Sequence, residues 1–289
     1  MTIKVEINKD SINERGNRIT TFVLTYPRFM HSEFMTHRMF SRNASSSRAI
    51  PVARELELIK KDPAIPILWT SNQKGMQGGA EISDTKAAEA AWLAGRDWAI
   101  SCAEALWALG VHKQYVNRLL EPFSHISVVA TATEFDNFFA LRYHEMALPE
   151  ICEVAKQMYE LRESNAPDKL FTGEWHLPFV SREEERQFHC DMGVDAPAKQ
   201  PLEHWMPLIV RSVARCARVS YRNHDGSEST AVEDKALYDR LLSSSPIHAS
   251  PAEHQALCRN ETGFWSGNFK NWQQYRKMLV GENITKFNK

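Results

Sequence analysis

Thr36-His37-Arg38-Met39-Phe40-Ser41-Arg42-Asn43-Ala44-Ser45-Ser46-Ser47-Arg48 brings three arginines, a histidine, an asparagine and four serines into thirteen residues. Guanidinium forks bind phosphate oxygens bidentately, and serine hydroxyls with nearby backbone N–H groups complete such a cradle. A basic, serine-rich turn also reads as a solvated loop, and composition alone does not separate the two.

Working outward, Ile19–Tyr26 mixes β-branched and aromatic residues and stops at Pro27, which predicts a strand. Phe29, Met30, Phe34, Met35 and Met39 fall near helical spacing and predict a helix over Phe29–Phe40. Pro51 marks the end of the basic run. Residues 62–83 carry Pro63, Pro66, Gly75, Gly78 and Gly79 and read as a loop-rich insertion anchored by Trp69. Lys74–Gly79 lacks the GK[ST] ending of a phosphate loop and reads as ordered surface.

A long helix is expected over Thr85–Leu109, capped by Ser83 or Asp84 and closed by Gly110, with Trp92, Trp98, Cys102, Leu106 and Leu109 as its core stripe. A second is expected from Thr133 to about Leu161, kinked or broken at Pro149. Residues 164–200 are polar and proline-punctuated, and read as a linker or peripheral excursion. Leu208–Tyr221 and Val232–Leu242 resume helical patterns, and no internal repeat is visible. The chain thus reads as one catalytic domain over 1–289, with 19–163 and 201–289 flanking the 164–200 excursion.

The 289 residues, 43% hydrophobic and 25% charged, are ordinary for a soluble globular protein. A formal net charge of −1 provides no global field for nucleic acid or an anionic membrane, so any anion site is local. Five scattered cysteines without CxxC spacing argue against a disulfide framework or zinc ribbon and for a reducing cytoplasm. The first seventeen residues are too polar for a signal peptide, and no window reaches membrane-spanning length. His248, Glu253 and His254 lack a third imidazole or a thiolate at ligand spacing, so no metal is expected.

In register, His37, Arg38, Ser41, Asn43, Ser46 and Arg48 resemble the arginine signature of the flavin-dependent thymidylate synthases. Asn137, Leu141, Arg142, Ala147, Glu150 and Ile151 resemble that family's Leu-Arg element, preceded by the similar Gly110-Val111 and Arg118–Pro122. Ala217–Tyr221 and Ser250-Pro251-Ala252-Glu253-His254 resemble its Ala-Arg-Val-Ser-Tyr and Ser-Pro-x-Glu-His elements. The last of these opens the family's usual order but closes this chain, as a circular permutation would arrange it. These resemblances cover about half of the chain.

The resemblance implies an α/β (α+β) fold, a mixed sheet flanked by long helices in permuted order. It implies methylation of dUMP at C5 by methylenetetrahydrofolate, with hydride from reduced FAD and NADPH as reductant. By resemblance Ser46 and Arg48 hold the dUMP phosphate, and Arg142 is the catalytic and nucleoside-binding residue. His37, Arg38, Asn137, Ser220, Ser250 and His254 line the flavin site. The family's site lies between subunits of a homotetramer, which implies an oligomer. No nucleic-acid or membrane partner is implied.

Four departures stand out: Thr36, Ala44 and Ala49 replace the signature's first arginine, its glutamate and its tyrosine, and Leu148 replaces a glutamine. Losing an arginine from a diphosphate site removes a charge-assisted bond of about 1.5–3 kcal/mol. Arg276 is one candidate to replace it; Trp272 and Tyr275 favour reading that segment as a docking helix. The departures keep open a dUMP or dCMP hydroxymethylase on the same scaffold, and a nucleotide-binding protein without catalysis.

Overall fold

The computed structural model describes residues 3–220 and 229–285. β1 (Lys4–Asn13) and β2 (Arg18–Pro27) form a hairpin. Its turn is closed by Asn13, whose side-chain oxygen accepts from the backbone N–H groups of Arg15 and Asn17. A one-turn helix α1 (His31–Phe34) leads to β3 (Ser41–Ala44), then come α2 (Val52–Lys61), the long α3 (Thr85–Ala108) and a short α4 (Lys113–Val116). β4 (His125–Ala132), α5 (Asp136–Arg142) and α6 (Pro149–Ser164) follow. Next come β5 (Asp168–Leu170), β6 (Trp175–His176), α7 (Arg182–Asp191), α8 (Leu202–Ala217) and α9 (Ala231–Leu242). The C-terminal part holds β7 (Ala256–Cys258), the hairpin β8 (Trp265–Ser266) and β9 (Phe269–Lys270), and β10 (Trp272–Gln274).

The main sheet runs β3-β4-β2-β1-β5, antiparallel except for the β1–β5 pair. Residues directly opposite on antiparallel strands share a face. One face presents Phe22, Leu24, Ile126, Val128 and Ala130 to Ile151, Val154 and Met158 of α6. Each large side chain buried there contributes about 1.5–3 kcal/mol. The other face carries Ile19, Val23 and Val129 and packs on the C-terminal layer through Trp272, Phe269 and Val219. The architecture is therefore the expected mixed α/β fold, with β3 at one edge of the sheet.

Several expectations are corrected. Phe29–Phe40 is not one helix: a 3-10 turn at Arg28–Met30 and the single turn α1 replace it. The Arg42 guanidinium takes the carbonyls of Met35 and His37, which a continuing helix would need. The second long helix is two helices, because Pro149 starts α6 at its first turn and holds Leu148 extended. On α3, Asp84 is the cap, and the αL residue Gly110 closes the helix with Val111 N–H on the Leu106 carbonyl. Its buried stripe, however, is Ile100 and Ala103 with Trp92, Ala99 and Leu106. Trp98 is 74% exposed and Leu109 80% exposed.

Residues 164–200 are no linker. β5 extends the main sheet, β6 pairs with β7, and Trp175 and Leu177 lie in a core with α8. From α7, Glu185 reaches back to the buried Lys9 ammonium at 2.9 Å.

Candidate functional site

Alternation along β3 divides the signature between the two faces of the sheet. Ser41 and Asn43 face the C-terminal layer, where Gln274 Nε2 donates to Ser41 Oγ at 3.1 Å and Asn43 Nδ2 donates to the Cys216 carbonyl at 3.3 Å. Arg42 points the other way and pins the turn before the strand, donating to Met35 at 2.7 Å and His37 at 3.1 Å. Burial lowers the Arg42 pKa, against the opposing pull of Glu253 and Tyr26.

That turn holds His37 against the end of α5. Arg142 Nε donates to His37 Nε2 at 2.8 Å, and its Nη2 donates to Thr36 Oγ1 at 3.3 Å. The Thr36 hydroxyl in turn donates to the Glu33 carbonyl at 2.7 Å. Because a guanidinium only donates, His37 Nε2 must carry its lone pair, and the neutral ring then holds its proton on Nδ1. Burial, then the charges of Arg142 and Arg42, lower the His37 pKa to about 4. An arginine at position 36 would set a second guanidinium against Arg142; threonine accepts from it instead.

The far end of the signature is a turn held by the helices below it. Asn117 Nδ2 donates to the carbonyls of Ser47 and Ile50, Lys113 to that of Ala49, and Ser47 Oγ to Glu121. Ser46 is half-buried there and Arg48 is exposed. The four residues of β3 separate this turn from the His37–Arg142 contact by roughly 14 Å. Arg38 and Asn137 are exposed near the first end, and the Arg38 carbonyl accepts from Asn268 of the β8–β9 hairpin at 3.2 Å. Among the described residues, no hydrogen bond or ion pair engages the side chains of Arg38 and Arg48.

The Ser250–Glu253 turn packs directly on β3, so the C-terminal element and the signature are neighbours. Ser250 and His248 are exposed, whereas His254 is fully enclosed. Its Nδ1 lies 2.8 Å from Thr131 Oγ1 and begins a buried chain of hydrogen bonds across the sheet: Thr131 to Thr21 at 2.7 Å, Thr21 to His176 Nε2 at 2.9 Å, and His176 Nδ1 to Ser11 at 2.9 Å. Burial lowers the His254 pKa to about 3 and drives that of His176 well down. His254 Nε2 is buried without a partner.

Glu253 pairs with Arg276, which also binds Glu282, and no group of three His, Cys, Asp or Glu among the described residues is placed to hold a metal ion. Arg276 is thereby engaged away from Thr36. Trp272 and Tyr275 are buried, on a strand and a 3-10 turn rather than on the expected docking helix. The side chain of Ser220 lies outside the described residues. The structure thus joins His37 with Arg142, and Ser41 with the C-terminal layer, while Arg48 and Ser46 stand at the other end of β3. Thr21, Thr131, His176 and Gln274 had no signal in the sequence, since no motif or spacing marks them among the neighbouring polar residues. The buried thiols Cys216 and Cys258 have pKa values raised by burial, the latter to about 12, which leaves neither activated.

The model of the family described as thymidylate synthase complementing protein matches residues 18–168. Two solved structures are similar, both of the UMP/dUMP methylase PolB from Streptomyces cacaoi. The one bound with 5-Br UMP is 17% identical, with a TM-score of 0.45 over 55% of this chain and 88% of that one. The one bound with 5-Br dUMP is 18% identical, with a TM-score of 0.47 over 55% and 89%. No curated protein matches. No helix among the described residues is long and apolar enough to cross a membrane.

Proposed function

Because the chain belongs to the thymidylate synthase complementing protein family, the flavin-dependent thymidylate synthases, we propose that it converts dUMP to dTMP with methylenetetrahydrofolate and reduced FAD, NADPH being the reductant. The observation that carries this reading is the 2.8 Å bond from Arg142 to His37, which unites two motifs 105 residues apart in sequence.

The donor set suits anionic ligands. Arg38 and Arg48 are exposed cations, and Arg142, whose Nη1 lies 4.0 Å from Glu33 Oε2, keeps three of its five N–H groups free of hydrogen bonds after serving His37 and Thr36. In this reading Ser46 and Arg48 take the nucleotide phosphate, and Arg142, its plane fixed by His37 and Thr36, orients the nucleoside. His37, Arg38, Asn137, Ser220 and Ser250 hold the flavin, with the enclosed His254 supporting the turn that carries Ser250. Fixed cations between the phosphate, the flavin diphosphate and the folate tail offset the repulsion of three anions in one cleft. The flavin supplies hydride; the protein binds, orients and excludes water. A second subunit of a homo-oligomer, a tetramer as in the family, closes the site over Arg48.

The replaced residues Thr36 and Ala44 favour one rival, a hydroxymethylase in which water captures the one-carbon unit. Incubation with methylenetetrahydrofolate and either dUMP or dCMP, with and without reduced FAD, separates them by product mass. A methylated dUMP that requires reductant is expected. A hydroxymethylated product formed without reductant installs the rival, and a protein that binds dUMP but turns over neither nucleotide is a non-catalytic homologue.

A further inference from the structure

A cleft of about 250 Å³ opens on the side of the main sheet away from β3, between β1, the α6–β5 loop and the start of α7. Two features of the chain hold it open. The pairing of β1 with β2 skips Asn8, between Ile7 and Lys9, and β5 covers only Ser11–Asn13 of the other edge of β1. The bulged Asn8 accepts the Phe179 N–H through Oδ1 at 2.7 Å, and Phe179 sits at φ +61, a left-handed conformation that a bulky residue keeps only where its surroundings impose it. The floor is fixed: Lys9 and Asp10 are buried, and Asp10 accepts from Arg18, Thr20 and Asn165.

Hydrogen bonds already made decide what the walls still offer. With Asn8 Oδ1 taken, its Nδ2 is a free donor; with Asn165 Nδ2 given to Asp10 at 2.8 Å, its Oδ1 is a free acceptor. Arg182 spends Nε on Asp168 Oδ2 at 2.7 Å. Among the described residues, no hydrogen bond engages the terminal nitrogens of Arg182 or the second carboxylate oxygen of Asp168. The cleft thus has a donor pole, Arg182 with Asn8, directly beside an acceptor pole, Asp168 with Asn165.

Every charge lining the cleft already faces an opposite one: Lys9 with Glu185 at 2.9 Å, Asp10 with Arg18 at 2.5 Å, and Asp168 with Arg182. A ligand of single charge would upset that balance, whereas one carrying both charges on neighbouring atoms satisfies both poles at once. We infer that the cleft binds a small free α-amino acid, with its carboxylate on Arg182 and Asn8 and its ammonium on Asp168 and Asn165. Ile7, Ala166 and Val180 supply an apolar wall for a short side chain. At ~30 Å³ per water the cleft holds about eight waters, room for an amino acid of alanine to valine size and too little for a nucleotide. The site shares no residue with the proposed anion site and stands independently of the functional reading above. β4 and β2 lie between β1 and β3, a separation of about 14 Å at ~4.8 Å per strand.

Calorimetric titration of the whole chain with L-alanine, L-serine and L-valine tests the site, and at about 10 mM at least one of them should also raise the melting temperature. Alaninamide lacks the carboxylate and N-acetyl-L-alanine lacks the ammonium, so each should bind about tenfold or more weakly than L-alanine. Arg182→Gln and Asp168→Asn should each weaken L-alanine by a similar factor, with far-ultraviolet dichroism checking that the variants fold. The two derivatives carry the test on the wild-type chain even if a variant misfolds. Neither heat nor a thermal shift with any of the three amino acids overturns the site, as does binding that tolerates the loss of either charge or is unchanged in both folded variants. Displacement of the amino acid by dUMP would place it at the nucleotide site instead and also overturns this one. Amino-acid binding in a chain that does not bind dUMP supports this inference while the proposed activity fails.

Discussion

The Gln274 carboxamide donates to Ser41 Oγ at 3.1 Å, joining residues 233 positions apart and clamping the C-terminal layer onto the signature strand. The same nitrogen donates to the Glu253 carbonyl at 3.1 Å, so one buried amide ties β10, β3 and the Ser250–Glu253 turn together.

Gly267 is what leaves room for that amide. It has φ +59, and a Cβ there would stand 2.0 Å from Gln274 Oε1. Gly267→Ala is expected to cost about 1–2 kcal/mol through its left-handed backbone, and to displace Gln274 from Ser41. Urea unfolding and nucleotide turnover should both suffer, with Gln274→Ala reproducing the second effect. A Gly267→Ala enzyme of full stability and activity refutes the clamp.

Arg142→Lys keeps the charge but cannot donate to His37 and Thr36 at once. Loss of one charge-assisted bond predicts a fall in kcat/KM of about tenfold to a hundredfold. Arg142 is half-buried, so the melting temperature should fall by only a few degrees. Steady-state kinetics with dUMP checks this, and unchanged kcat/KM removes Arg142 from the site.

The buried imidazoles set an acid limit. His254, with a pKa near 3, and His176, also lowered, remain neutral in the fold, while the unfolded chain protonates its histidines below about 6.5. The unfolded state therefore binds more protons as pH falls: stability is complete above pH 6.5 and declines below it. At pH 5 each fully buried imidazole costs about 2 kcal/mol. Glu55, Glu150 and Glu185, raised by burial, act in the opposite direction at lower pH. His254→Gln should flatten the dependence of unfolding free energy between pH 7 and 5 by that amount. An unchanged slope would show that His254 is not held neutral.

Removing one member of the Lys9–Glu185 pair strands a buried charge. Glu185→Ala is expected to destabilise by about 3–5 kcal/mol, and the double variant Lys9→Met, Glu185→Leu to recover most of it. Denaturant unfolding of the three proteins decides the point; equal stability of wild type and Glu185→Ala contradicts it.

Legibility in the sequence followed element length and the number of faces an element buries. β2 reads clearly because a strand of ten residues ends at a proline. β5 and β6 are three and two residues long, too short for any period to show, which is why 164–200 reads as a linker. On α3 both faces are apolar, so the sequence marks the helix but not which side is core; Trp98 is outward for that reason. Within the site, the residue types of the signature and of Arg142 announce anion chemistry. The His254–Thr131–Thr21–His176 chain does not, because its members come from four separate segments and only the register of β2 against β4 aligns them.

β3 is an edge strand, and the segments that cover its Ser41 face come from residue 216 onward. Synthesis therefore delivers the anion-binding residues long before their cover. A ribosome adding about 5–20 residues per second leaves the apolar face carrying Val129 open for roughly 5–18 s, until Val219 is made. During that interval the nascent chain presents an uncovered sheet face beside an open strand edge to its neighbours, so the order of parts along this gene places its greatest aggregation hazard at the functional centre.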